Sequence, residues 1–127
     1  MSRTVVIRVG PVDQARRELK ADLAAITRGE RVRRRREIWF ASLAELAAIL
    51  TERRLALLRV MYQKQPRSMA QLARLANRGV KGIEADVRAL AQTGLVKLVA
   101  TRTGQRPVAG FDRIHLAGDI ALVRAAA

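Results

Sequence analysis

Cysteine is absent from the 127 residues, which excludes disulfide bridges and thiolate metal sites. There is one histidine, His115, so a single chain cannot build a histidine relay or a multi-histidine metal site. Aromatic residues are scarce, and Trp39, Phe40 and Tyr62 are not interleaved with basic residues as a stacking platform for RNA or single-stranded DNA would require. They are expected in the core or at a dimer contact. Phosphate-cradling motifs of the GxxxxGK[ST] or GxGxxG kind do not occur, and the carboxylates are scattered among arginines. No enzymatic activity, cofactor or metal is therefore expected. No apolar run approaches the roughly 18–20 residues of a membrane span, and the first residues lack a secretory apolar core with a cleavage site. The expectation is a soluble cytoplasmic protein, associated with the nucleoid and without a membrane partner.

What the chain has in excess is positive charge: 25 Lys and Arg against 11 Asp and Glu, a formal charge of +14. Self-repulsion of that size opposes compaction and points to a polyanionic partner. The surplus is spread along the chain, with 11 basic and 5 acidic groups in residues 1–40, 9 and 4 in 41–94, and 5 and 2 in 95–127. One dense knot stands out at Arg33, Arg34, Arg35 and Arg36. It reads as an arm along a DNA backbone first, then as a solvated linker or a patch for an acidic protein.

Residues 4–9, TVVIRV, are β-branched and stop at Gly10-Pro11, which predicts a short strand. Ala15, Leu19, Leu23 and Ile26 then recur at helical spacing, predicting a helix over about 12–28. Ile38-Trp39-Phe40 reads as a second short strand or a tether onto the core. Ser42 with Glu45 forms a capping box ahead of Leu43, Leu46, Ala47 and Leu50. Thr51 caps a further helix in which Leu55, Leu58 and Tyr62 share a face, ended by Pro66. Ser68 with Gln71 opens the next, carrying Met69, Leu72, Ala73 and Ala76.

A break at Asn77-Arg78-Gly79 leads into Val80, Ile83, Val87, Leu90 and Ala91 on one helical face, with Lys81, Ala85, Arg88 and Gln92 opposite. Two short helices joined by a tight, glycine-containing turn form a helix-turn-helix, whose second helix fits a major groove about 12 Å wide. Gly79 is placed to be the N-cap of that helix or to take a conformation closed to residues with a Cβ. Gly94 sits at the helix end, and TRTGQRPVAG then reads as the tip of a hairpin with strands at about 95–101 and 111–117. Arg102 and Arg106 would lie on that wing, positioned for a minor groove.

QLARLANRGVKGIEADVRALAQTGLV resembles the signature LAxxL…V…HVRALExxGLV of MarR-like winged-helix transcription regulators. The wider layout over residues 4–117, including FASLAELAAILTERRLALLRVM and FDRIHL, is similar to a group of small regulators often encoded beside a toxin-like protein and regarded as antitoxins. The resemblance implies sequence-specific binding of double-stranded DNA as a homodimer, with autorepression as one of the roles open to it. The usual polar residues at the start of the recognition helix are replaced here by Val80 and Gly82, which leaves Lys81, Glu84, Ala85 and Arg88 as readers.

The fold class expected is mainly α (α+β), a winged helix-turn-helix at residues 41–118 with a strand-helix extension at 1–40 and a tail at 119–127. The candidate DNA-binding residues are Ser68, Arg78, Lys81, Gly82, Glu84, Ala85, Arg88, Arg102 and Arg106, with Arg33, Arg34 and Arg35 from the basic knot. The extension is expected to build the dimer, by strand pairing at an exposed edge of residues 4–9 or through the Ala15, Leu19, Leu23 and Ile26 face, the alternative being that the helix covers the core of its own subunit. The alternative function is an antitoxin-type module that holds a small toxin protein, with DNA contact secondary.

Overall fold

The computed structural model describes residues 3–32, 36–120 and 122, so Arg33, Arg34 and Arg35 lie outside the described residues. The elements run β1 (Thr4–Val9), α1 (Val12–Thr27), β2 (Glu37–Phe40), α2 (Leu43–Ile49), α3 (Glu52–Lys64), α4 (Met69–Ala76), α5 (Val80–Thr93), β3 (Val96–Thr101), β4 (Gly104–Ala109) and β5 (Arg113–Gly118), an α+β fold. They form two compact units: Val5–Leu46 with Ile114 onward, and the chain up to Thr4 with Ala47–Arg113. No helix among the described residues is long and apolar enough to cross a membrane.

The first unit is a three-stranded sheet in the order β2-β1-β5. β1 and β2 are parallel, pairing Val6 with Glu37 through Val9 with Phe40, and α1 is the crossover that parallel pairing demands. Val5, Val6 and Ile7 are all buried, the continuous apolar run of a strand covered on both faces. The exposed edge expected for residues 4–9 does not exist: β1 is central, its hydrogen-bonding groups taken up by β2 on one side and β5 on the other. Arg8 anchors this unit. Its guanidinium pairs with Glu18 of α1, lies 3.7 Å from Glu37, and stacks over Trp39 at 4.2 Å from the ring centroid. The hydrogen bond from Arg8 draws the Glu18 carboxyl below its ordinary value and the same bond raises Arg8.

The second unit packs α3 on α4 and β4, and α5 on α4 and β3. Its core is Leu57, Met61, Leu72, Ala73, Ile83, Val87, Leu90, Leu95 and Val96. On α3 the buried pair is Leu57 and Met61, while Leu55 and Leu58 are half-buried and Tyr62 is 43% exposed, so the face expected from Leu55, Leu58 and Tyr62 is turned by about one residue. A flexible thioether fills the interior where a phenol would need a partner for its hydroxyl, and Tyr62 keeps that hydroxyl near water. The caps form as the sequence indicates: Ser42 Oγ accepts from Glu45 N at 3.1 Å, Thr51 Oγ1 from Arg54 N at 3.2 Å, and Ser68 Oγ from Gln71 N at 3.0 Å. Glu45 and Gln71 reach back to the N–H groups of Ala41 and Arg67 at 2.9 and 2.7 Å.

The hairpin differs from expectation in its second strand. β3 pairs antiparallel with β4, Val96 opposite Ala109 through Thr101 opposite Gly104, and residues 113–118 belong to the other sheet. Gly104 and Pro107 disguise β4 as a turn, yet a proline without an N–H is tolerated in an edge strand, and among the described residues β4 pairs with β3 alone.

At Gly118, where β5 ends, φ is 150° and an added Cβ would lie 2.9 Å from the Val9 carbonyl oxygen. Gly118→Ala is expected to cost about 1–3 kcal/mol, read as a lower denaturation midpoint. Gly29→Ala, at φ 81° with nothing near its Cβ position, is expected to cost less, from backbone strain alone.

Candidate nucleic-acid interface

The corner between α4 and α5 is made by backbone hydrogen bonding around one left-handed residue. Asn77 has φ 55°, and its N–H and that of Arg78 donate to the carbonyls of Arg74 and Ala73 at 3.2 and 3.0 Å. Asparagine is the residue other than glycine that best tolerates this conformation. Gly79 is extended at φ −68° and ψ 145°, serving as the N-cap of α5 without a side-chain cap bond. A shallow depression of about 460 Å³ lies over this corner, against Arg74, Asn77, Arg78 and the first residues of α5.

Inward, α5 carries Ile83, Val87 and Leu90, all fully buried, and Asp86, whose side chain is 2% exposed. Three guanidiniums converge on this carboxylate. Asp86 Oδ1 accepts from Arg53 Nη2 and Arg54 Nε, each at 3.1 Å, and Oδ2 from Arg78 Nη1 at 2.8 Å. Burial would raise the carboxyl, but the bonds from Arg78, Arg54 and Arg53 outweigh it and hold Asp86 below the ordinary aspartate value. Arg54 also donates to the Ala48 and Ile49 carbonyls at 3.2 and 2.9 Å. One acidic side chain thus joins α3, the end of α2, the α4–α5 turn and α5.

Arg78, a candidate phosphate contact, is committed to Asp86 through the bond just described. Gly82 explains how it gets there: a Cβ at 82 would stand 3.2 Å from Arg78 Nη2, so the missing side chain leaves the lane along which Arg78 crosses the first turn of α5. Ser68 spends its hydroxyl on the cap of α4. Arg106 is in β4, opposite Val99, and its Nε donates to the Pro66 carbonyl at 3.2 Å, pinning the hairpin to the α3–α4 connection. Arg102 is exposed in the two-residue turn.

Lys81, Gly82, Ala85, Arg88 and Gln92 are exposed and Glu84 is half-buried, so the outward face of α5 is the one the periodicity indicated. Val80 departs from the apolar stripe, standing 41% exposed at the helix start, ahead of the packed turns. The sequence reading missed Asp86 and its partners Arg53 and Arg54. Their only signal was an acidic residue at i+3 from Ile83 and beside Val87, at the edge of the buried stripe. Among the described residues no group of three or more His, Asp or Glu could hold a metal ion.

Removing one partner of a buried ion pair typically costs about 3–5 kcal/mol. Asp86→Ala is expected near the lower limit, about 3 kcal/mol, because all three arginines reach water. A depressed native carboxyl stabilises the fold fully above the unfolded value of about 4 and loses that contribution as pH falls through the lower native value. The stability gap between wild type and Asp86→Ala, from denaturant titrations, is therefore expected to be constant near neutrality and to close below about pH 4.

No curated protein matches the chain. One family model, described as HVO_A0114, matches residues 49–116, from the end of α2 into β5, and so takes in the α4–α5 corner, the Asp86 cluster and the hairpin. With more than half of its 127 residues matched, the chain belongs to the HVO_A0114 family.

Proposed function

We propose that this chain is a double-stranded DNA-binding transcription regulator of the winged helix-turn-helix kind, MarR-like in its α4–α5 segment, acting as a homodimeric repressor. The observation that carries the reading is α5: a 14-residue helix, fastened from behind by Asp86, whose outward side holds Lys81, Ala85, Arg88 and Gln92 with no bulky apolar residue among them. Residues 47–113, which contain it, hold 13 Lys and Arg against four Asp and Glu. Such a surface releases condensed counterions from a duplex on binding.

Within this reading the roles divide by what each side chain has free. Lys81 and Arg88 are the cations of α5 available to base edges or phosphates, and Arg102 at the hairpin turn is available to backbone or minor groove. Arg78 and Arg106 act from behind, holding α5 and the hairpin in place. Because Gly82 offers no side chain, base readout falls to residues 81, 84, 85, 88 and 92, and phosphate contacts supply much of the affinity.

Binding of promoter-derived and random duplexes across a salt series tests the proposal. Affinity is expected to fall steeply with salt, with a log–log slope of about −0.9 per phosphate neutralised. Absence of binding at low salt would remove the reading and leave the protein-holding alternative. Arg88→Ala is expected to weaken specific binding by about 1–3 kcal/mol while sparing random duplexes, whereas Arg102→Ala weakens all sequences alike. Equal, sequence-blind losses from both would reassign Arg88 to phosphate contact.

A further inference from the structure

The apolar stripe of α1 is not turned the way the helix is covered. At about 100° per residue, Leu19, Leu23 and Ile26 centre on one direction, and the half-buried Gln14, Ala15, Glu18 and Ala25 on another roughly 110° away. Leu19, Leu23 and Ile26 are consequently 60%, 52% and 42% exposed. A row of three large aliphatic side chains along two turns of helix is a surface that water disfavours.

Charge selects what can cover it. Copies of a chain at +14 repel one another, and most faces of it would forbid self-association. α1 is an exception, with Arg16, Arg17 and Lys20 balanced by Asp13, Glu18 and Asp22. The arrangement is also directional. Arg16 and Lys20 border the stripe on one side, Asp22 and Glu18 on the other, and among the described residues Arg16, Lys20 and Asp22 make no ion pair. When two antiparallel helices pack about a two-fold axis, like borders meet; when they are parallel, unlike borders meet. Only the parallel arrangement sets Arg16 and Lys20 against the Asp22 border of the second copy, where Asp22 is the unpaired acid and Glu18 is held by Arg8.

We infer that α1 is the homodimer contact of this protein, packing in parallel on α1 of a second copy through Leu19, Leu23 and Ile26. This deepens the two-copy form of the proposed function, and its test needs no DNA, so either can fail alone.

Absence of cysteine makes the test direct, since each introduced thiol is the only one in its chain. Leu19→Cys and Ile26→Cys, made separately in the full chain and mildly oxidised, are both expected to give disulfide-linked dimers. Self-pairing thiols need Cα atoms about 4.4–6.8 Å apart, and two positions seven residues apart both meet that limit only in a parallel pair. Sedimentation is expected to find a wild-type dimer and, for Leu19→Glu with an unchanged circular dichroism spectrum, an association constant at least about 100-fold lower, tenfold for each leucine lost. A wild-type monomer, a dimer in which neither cysteine bridges, or one in which only one bridges would each overturn the inference. The first of these outcomes would leave the stripe to a different protein.

Discussion

The geometry of the helical unit hangs on one carboxylate. Asp86 is nearly inaccessible, yet each of its oxygens is taken by arginine, and the arginines come from α3 and from the turn before α5. An ionised group in that position is tolerable only because three guanidiniums replace the water it has lost. The arrangement is directional in a way that apolar packing is not. Ile83, Val87 and Leu90 would hold α5 against its neighbours at many small rotations, whereas a bidentate carboxylate answered from two sides permits few. The surface that α5 presents outward is therefore fixed by a contact made on its inner side.

The same contact resolves an oddity in α5. A glycine at the third, exposed position of a helix wastes helix propensity and offers nothing to a partner. Seen with Arg78 beside it, Gly82 is the clearance that lets a turn residue reach a buried acid. Two residues that look like independent candidates for DNA contact prove to be parts of one support.

How much could be read from residues alone follows from the range of the interactions. Caps and helix ends are written in three or four neighbouring residues, so the boxes at Ser42 and Ser68, the cap at Thr51 and the glycine stop at Gly94 are legible, as is the outward set on α5. Strand partnership spans the whole chain. Nothing local tells residues 113–118 to lie beside residues 4–9 rather than to close a hairpin, and Gly104 and Pro107 speak for a turn where the chain is extended. The convergence on Asp86 brings together positions 32, 33 and 8 residues away, which no periodicity announces. Exposure of the stripe on α1 is likewise a matter of which side the sheet lies, a fact external to the helix.

Pro107 has a further consequence. Among the described residues the ribbon of β3 and β4 is two strands wide, and Pro107, opposite Leu98, is fully buried in the strand that packs on α3 and α4. A backbone N–H shut away from water without an acceptor is costly. Proline has no N–H to leave unanswered. The ribbon can therefore lie against helices without a third strand to satisfy it.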